Sequence, residues 1–145
     1  MKTPYDAALR VRQRELDEVS TAIRAEAGTL GELERERARV QAALRAEAQV
    51  AGTDLALASP AWQGRMRGQG RELGSLQAQV QARVDRLRDA AVDAYGTLRG
   101  IETAAEDYRR DTARAEAAAE QSTSDDLSAA AFLKTLRIVR RESPR

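Results

Sequence analysis

The chain has 145 residues, enough for one domain, and its 24 basic and 23 acidic residues leave a net charge of +1. That balance gives no general attraction to nucleic acid or anionic lipid. Histidine and cysteine are both absent, which excludes Ser-His-Asp and Cys-His catalysis, disulfides, Cys-ligated zinc and the commonest transition-metal ligand. No enzyme activity, metal or cofactor is expected.

Hydrophobic residues make up 42% of the chain, but many are alanine, and aromatics are only 3%. Alanine buries little area, so a thick globular core is not expected. A chain rich in Ala, Glu, Arg and Leu, with 32% charged residues, reads as long helices or a coiled coil. The fold class is all-α. No apolar run is long enough to span a bilayer, and the first residues lack the apolar core of a signal peptide, so a cytoplasmic location is expected.

In chain order, Thr3-Pro4 opens a helix predicted over about 4–51. Thr3 suits the N-cap, Pro4 the first helical position and Asp6 the first turn. Leu9, Leu16, Ile23, Leu30 and Leu44 recur at steps of seven, with Arg37 in the one missing slot. Val19, Leu33 and Val40 form a second column three residues on, and together these are the a and d positions of a coiled-coil seam. Arg12, Glu26 and Glu47 interrupt the second column. Polar entries of this kind either fix register or reach water along their aliphatic stems, and the latter suits the arginines. Gly28 and Gly31 are weak points within the helix.

The pattern stops after Val50, and a turn is predicted over about 52–60. Gly52 suits a left-handed helix end, and Ser59-Pro60 starts a second helix, about 61–121. Trp62 then serves as a lid on the tip or as a partner contact. Gly64, Gly68, Gly70 and Gly74 predict a flexible or frayed entry, and their spacing does not match a dinucleotide-binding fingerprint. Arg65, Arg67 and Arg71 make a basic patch without base-stacking aromatics. The second seam runs through Leu73, Leu76, Val80, Val84, Leu87, Ala91, Ala94, Leu98, Ile101, Ala105 and Tyr108, with a stutter at Leu76–Val80–Val84.

In an antiparallel hairpin, facing residues share nearly one sum of residue numbers. Leu9 with Ala105, Leu16 with Leu98, Ile23 with Ala91 and Leu30 with Val84 share the same sum. Val19 with Ala94, Leu33 with Val80 and Val40 with Leu73 share a sum one lower. The fold-back then falls near Leu57, inside the break. The expected architecture is a long two-helix antiparallel coiled-coil hairpin, 1–145 as a single unit and monomeric by itself.

Beyond Tyr108 the second helix outlasts its partner. The stretch "STSDD" punctuates it, with Ser124 as a candidate N-cap, and a basic amphipathic tail follows over about 124–145. Leu127 to Arg141 reads as a last short helix or as a continuation. Phe132, Leu133, Leu136 and Val139 are apolar there, while Lys134, Arg137, Arg140 and Arg141 are basic. Three roles fit Phe132, Leu136, Arg137, Arg140 and Arg141: docking on an acidic partner, lying on a membrane surface, or capping the open end of the hairpin. The carboxylates Glu32, Glu34, Glu36, Asp85 and Asp89 fall on solvated faces without a cleft.

The opening "AALRVRQRELDEVS", the aromatic-containing "PAWQGRMRGQGREL" after the break and the acidic-then-apolar "DDLSAAAF" resemble the flagellar type III export stalk proteins, the FliJ family, and their injectisome equivalents. The resemblance covers nearly the whole chain. It implies a hairpin similar to the central stalk of rotary ATPases, whose terminal end enters the hexameric export ATPase (FliI-like). It also implies contacts with the cytoplasmic domain of the export gate (FlhA-like), escort of export chaperones, and a peripheral position at the inner face of the cell membrane. Carried over, the ATPase end comprises Leu9, Arg10, Arg14, Tyr108, Arg109 and Arg110, and the gate side lies near Val40, Leu44, Leu73 and Leu76. Where some members carry further aromatics near the tip, this chain has Gly68, Gln69 and Gly70. The alternative is a coiled-coil adaptor or scaffold unrelated to export, including a parallel homodimer hinged at the break.

Overall fold

A computed structural model describes residues 1–53 and 59–143. They form two long helices packed against each other as an antiparallel hairpin, α1 (Asp6–Thr53) and α2 (Pro60–Glu142), with no strand among the described residues. The start of α1 is closed by a reciprocal cap. The Asp6 carboxylate accepts bonds from the Thr3 amide (3.0 Å) and the Thr3 hydroxyl (2.6 Å), and the Asp6 amide donates to the Thr3 carbonyl at 3.2 Å. Thr3 was expected to accept an orphan amide through its hydroxyl. Instead that hydroxyl donates to Asp6, and Thr3 is buried beneath the first turn.

The other end of α1 corrects an expectation. Gly52 does not terminate the helix in a left-handed conformation: no described residue has a positive φ, and α1 continues to Thr53. The fold-back expected near Leu57 lies outside the described residues. On the far side, Pro60 is the first residue of α2 and the Ser59 carbonyl accepts from the Gln63 amide at 3.0 Å. The Ser59 amide donates to Glu47 Oε1 of α1 (3.3 Å), tying the two helices together beside the break.

Helix α2 is unbroken for 83 residues. The glycine-rich entry is helical throughout, and two of its glycines face α1. A Cβ on Gly70 would sit 3.6 Å from the Val40 methyl, and one on Gly74 would sit 3.6 Å from the Arg37 guanidinium carbon. Both distances are ordinary van der Waals contacts, so a side chain as small as alanine fits at either position. The stretch "STSDD" also lies within α2, so of the two readings of Leu127–Arg141 the continuation is the one observed. Its polar side chains bond along the helix: the Thr123 hydroxyl donates to the Ala119 carbonyl (2.9 Å), and the Gln121 amide donates to Asp125 Oδ1 (2.7 Å). Groups that could have drawn the backbone into a turn are used within the helix instead.

The chain forms two compact units, Arg10–Leu98 and Met1–Leu9 with Arg99–Arg145. In the first, Val40, Val80, Val84 and Leu98 are buried, with Leu16, Val19, Ile23, Leu30, Leu33 and Leu44 half-buried beside them. One seam position differs from expectation. Leu76 is 47% exposed and off the seam, and half-buried Gln77 takes its place. With Gln77 included, α2 carries an unbroken heptad through Gly70, Gln77, Val84, Ala91 and Leu98, and the expected stutter disappears. Gln77 Oε1 accepts a 3.0 Å bond from Arg37, the residue in the missing slot of α1. The antiparallel register therefore holds through a polar pair. Arg83 reaches Glu26 across the hairpin at 3.2 Å, whereas Arg12 pairs with Glu15 on its own helix at 2.8 Å. In the second unit Ala105 is fully buried and Leu9 and Ile101 are half-buried.

This seam distinguishes two residues of similar hydrophobicity. Val84→Ala empties a fully enclosed site and is expected to cost about 2 kcal/mol in denaturant unfolding. Leu76→Ala, outside the seam, should cost less than about 1 kcal/mol. Gly28 is helical and exposed, and a Cβ there would meet nothing within 4 Å. Gly28→Ala should therefore raise stability by about 0.5–1 kcal/mol, seen as a higher melting temperature.

Candidate interaction surfaces

Three surfaces follow from the way the helices are positioned. The first lies where α1 begins. Tyr5, just before α1, meets Tyr108 of α2 edge-on, with ring centroids 6.3 Å apart and planes at 77°. The quadrupoles of two rings favour this geometry. Tyr108 remains 41% exposed and Leu9 is half-buried. Arg109 and Arg110 are exposed, and Arg110 pairs with Asp107 one turn back. Leu9, Tyr108, Arg109 and Arg110 thus share one unit, whereas Arg10 and Arg14, both exposed on α1, belong to the other. Tyr5 was missed in the sequence. It precedes the heptad, and only its place next to the Thr3-Pro4 helix start could have pointed to it.

The second surface is a shallow groove between α1 and α2 in the Arg10–Leu98 unit. Val40, Leu44, Gly70 and Gly74 form its floor, and Arg37, Arg67 and Arg71 stand around it. Of the residues expected on the gate side, Val40 and Leu44 line this groove, Leu73 is half-buried in the seam, and Leu76 points to solvent. Val40 is the most buried of them at 2% exposure, so it supports the groove more than it offers contact area.

The third surface is the arm of α2 from Ala113 to Ser143, in which every residue is exposed. Phe132 is 64% exposed and Leu136 48%, with Leu133 and Val139 similarly open. Helical spacing places Phe132, Leu133, Leu136 and Val139 on one face. Arg137, Arg140 and Arg141 are exposed beside them. Phe132 and Leu136 therefore do not cap the hairpin.

No group of His, Cys, Asp or Glu among the described residues is arranged to hold a metal ion. Glu36 pairs with Arg39 (3.2 Å), and Asp85 lies 3.9 Å from Arg88 on the surface of α2. No helix of the described residues is long and apolar enough to cross a membrane. No family model, characterised protein or solved structure matches the chain.

The aromatic contact can be tested on its own. In a double-mutant cycle of Tyr5→Ala and Tyr108→Ala, a coupling energy of about 0.5–1.5 kcal/mol is expected from thermal or denaturant unfolding. Strictly additive single mutants would mean that the rings contribute only by their separate burial.

Proposed function

We propose that this chain is a non-enzymatic, protein-binding helical hairpin that acts as a stalk or escort component of flagellar type III protein export. The observation that carries the binding role is the arm of α2. It outlasts α1, is exposed along its whole length, and presents large apolar side chains beside arginines. Exposed apolar residues on one helical face are the usual anchors for a protein groove or a partner helix.

The export role draws support from the resemblance of the helix-start, post-break and arm sequences to the stalk family, together with the hairpin fold. On this reading the terminal end, with Leu9, Tyr108, Arg109 and Arg110, meets the hexameric export ATPase. The groove over Val40 and Leu44 faces the cytoplasmic domain of the export gate. The protein bridges the two, helps couple nucleotide turnover to secretion, and handles export chaperones from a cytoplasmic position at the inner face of the membrane.

Deleting the gene should abolish swimming, and the purified chain should co-purify with the export ATPase and promote its hexamer formation. Normal motility in the deletion strain would sink the export role and leave a coiled-coil adaptor as the better description.

A further inference from the structure

The arm of α2 continues the heptad of the hairpin seam. From Ile101, Ala105 and Tyr108 the same steps lead through Thr112, Ala115, Ala119, Ser122, Asp126, Ala129, Leu133, Leu136 and Arg140. Helix α2 is unbroken across this stretch, so these residues stay on one face. The face is a seam without a partner strand of seam.

Size and charge both reverse along it. In the first half the seam residues are short, Asp126 is one of them, and Glu116, Glu120 and Asp125 lie around them, while Arg114 lies 3.9 Å from Asp111 one turn back. In the second half the seam holds the large Leu133 and Leu136, with Phe132 and Val139 beside it on the same face, Lys134, Arg137, Arg140 and Arg141 as the bases, and no acid before Glu142. Among the described residues, none of Glu116, Glu120, Asp126, Lys134, Arg137, Arg140 and Arg141 takes part in an ion pair.

We propose that the occupant of this face is the same arm of a second copy of the chain, running antiparallel, with the two-fold axis near Ala129–Ala131. An antiparallel copy presents the reverse order in both properties. The large half of each arm then lies on the small half of the other. Asp126 comes beside the partner's Lys134, and Glu116 beside the partner's Arg141. The alanines at the axis let the two backbones approach closely. A uniformly acidic partner would suit only the second half of the arm and would meet four acids in the first. An anionic bilayer would meet the same four acids. A second copy matches both halves, and the pairing is isologous and closed. It stands on the arm alone and makes no assumption about export.

The test uses the full chain. At low salt, light scattering over about 1–100 µM should show the mass rising from 15.9 kDa toward twice that value. High salt should reverse the rise by screening the exposed charges. The triple variants E116K/D125K/D126K and K134E/R137E/R141E should each stay monomeric, with the helicity of the parent chain, because each sets mostly like charges opposite one another across the paired arms. Mixing the two variants should restore the dimer mass. A parent chain that stays monomeric throughout overturns the proposal, as does a dimer that neither variant weakens. A monomeric parent chain that binds phosphatidylserine-rich vesicles through the arm would instead assign the face to lipid, and that too overturns it.

Discussion

The fold depends on one constraint: two narrow apolar stripes, each too thin to be hidden by its own helix, must bury each other. Neither helix has a second hydrophobic face or a third layer to lean on. The buried residues, Val40, Val80, Val84, Leu98 and Ala105, are modest in volume, so the hairpin gains little from any one site and its stability is spread along the seam. Alanine-rich flanks with high helix propensity make such a thin interface sufficient. Gly70 and Gly74 of α2 face Val40 and Arg37 across the seam.

Such an interface could slide by one heptad with little loss if it were uniformly apolar. The Arg37–Gln77 pair and the Glu26–Arg83 pair oppose that. Both are partly solvated, so each contributes little to overall stability. Their effect is selective, because a shift of seven residues would separate both pairs while still matching apolar to apolar. Polar entries that weaken the seam thus favour one register over its neighbours.

The hairpin was legible because heptad spacing and antiparallel pairing are properties of position, and both survive imperfect composition. The errors arose where hydrophobicity was read in place of position. Leu76 was chosen over Gln77 because leucine is apolar, although Gln77 keeps the seven-residue step and forms the cross-helix bond. The conformational freedom of Gly52 and of the four glycines of early α2 suggests breaks, whereas all five lie within helices. Ser124 and its neighbours were read as a cap, but no proline or glycine enforces a break there, and the surrounding side chains bond within the helix. The arm's composition is legible in the sequence, and its continuity is one of the two readings that the sequence allows. The Tyr5–Tyr108 contact was invisible because it joins residues from opposite ends of the pattern.

The ladder of contacts across the hairpin also sets an order of closure. Ser59 and Glu47 are 12 residues apart in sequence, Arg37 and Gln77 are 40, and Arg83 and Glu26 are 57. Once the innermost pair has formed, each further turn closes only a small additional loop, so the entropic cost of zipping outward stays low at every step. Starting instead at Tyr5 and Tyr108 would demand closure of nearly the whole paired chain at once. The hairpin therefore behaves as a zipper with local contact order at its base. By the same loop-closure argument, the capped start of α1 and its tyrosine pair carry the longest closure of the hairpin.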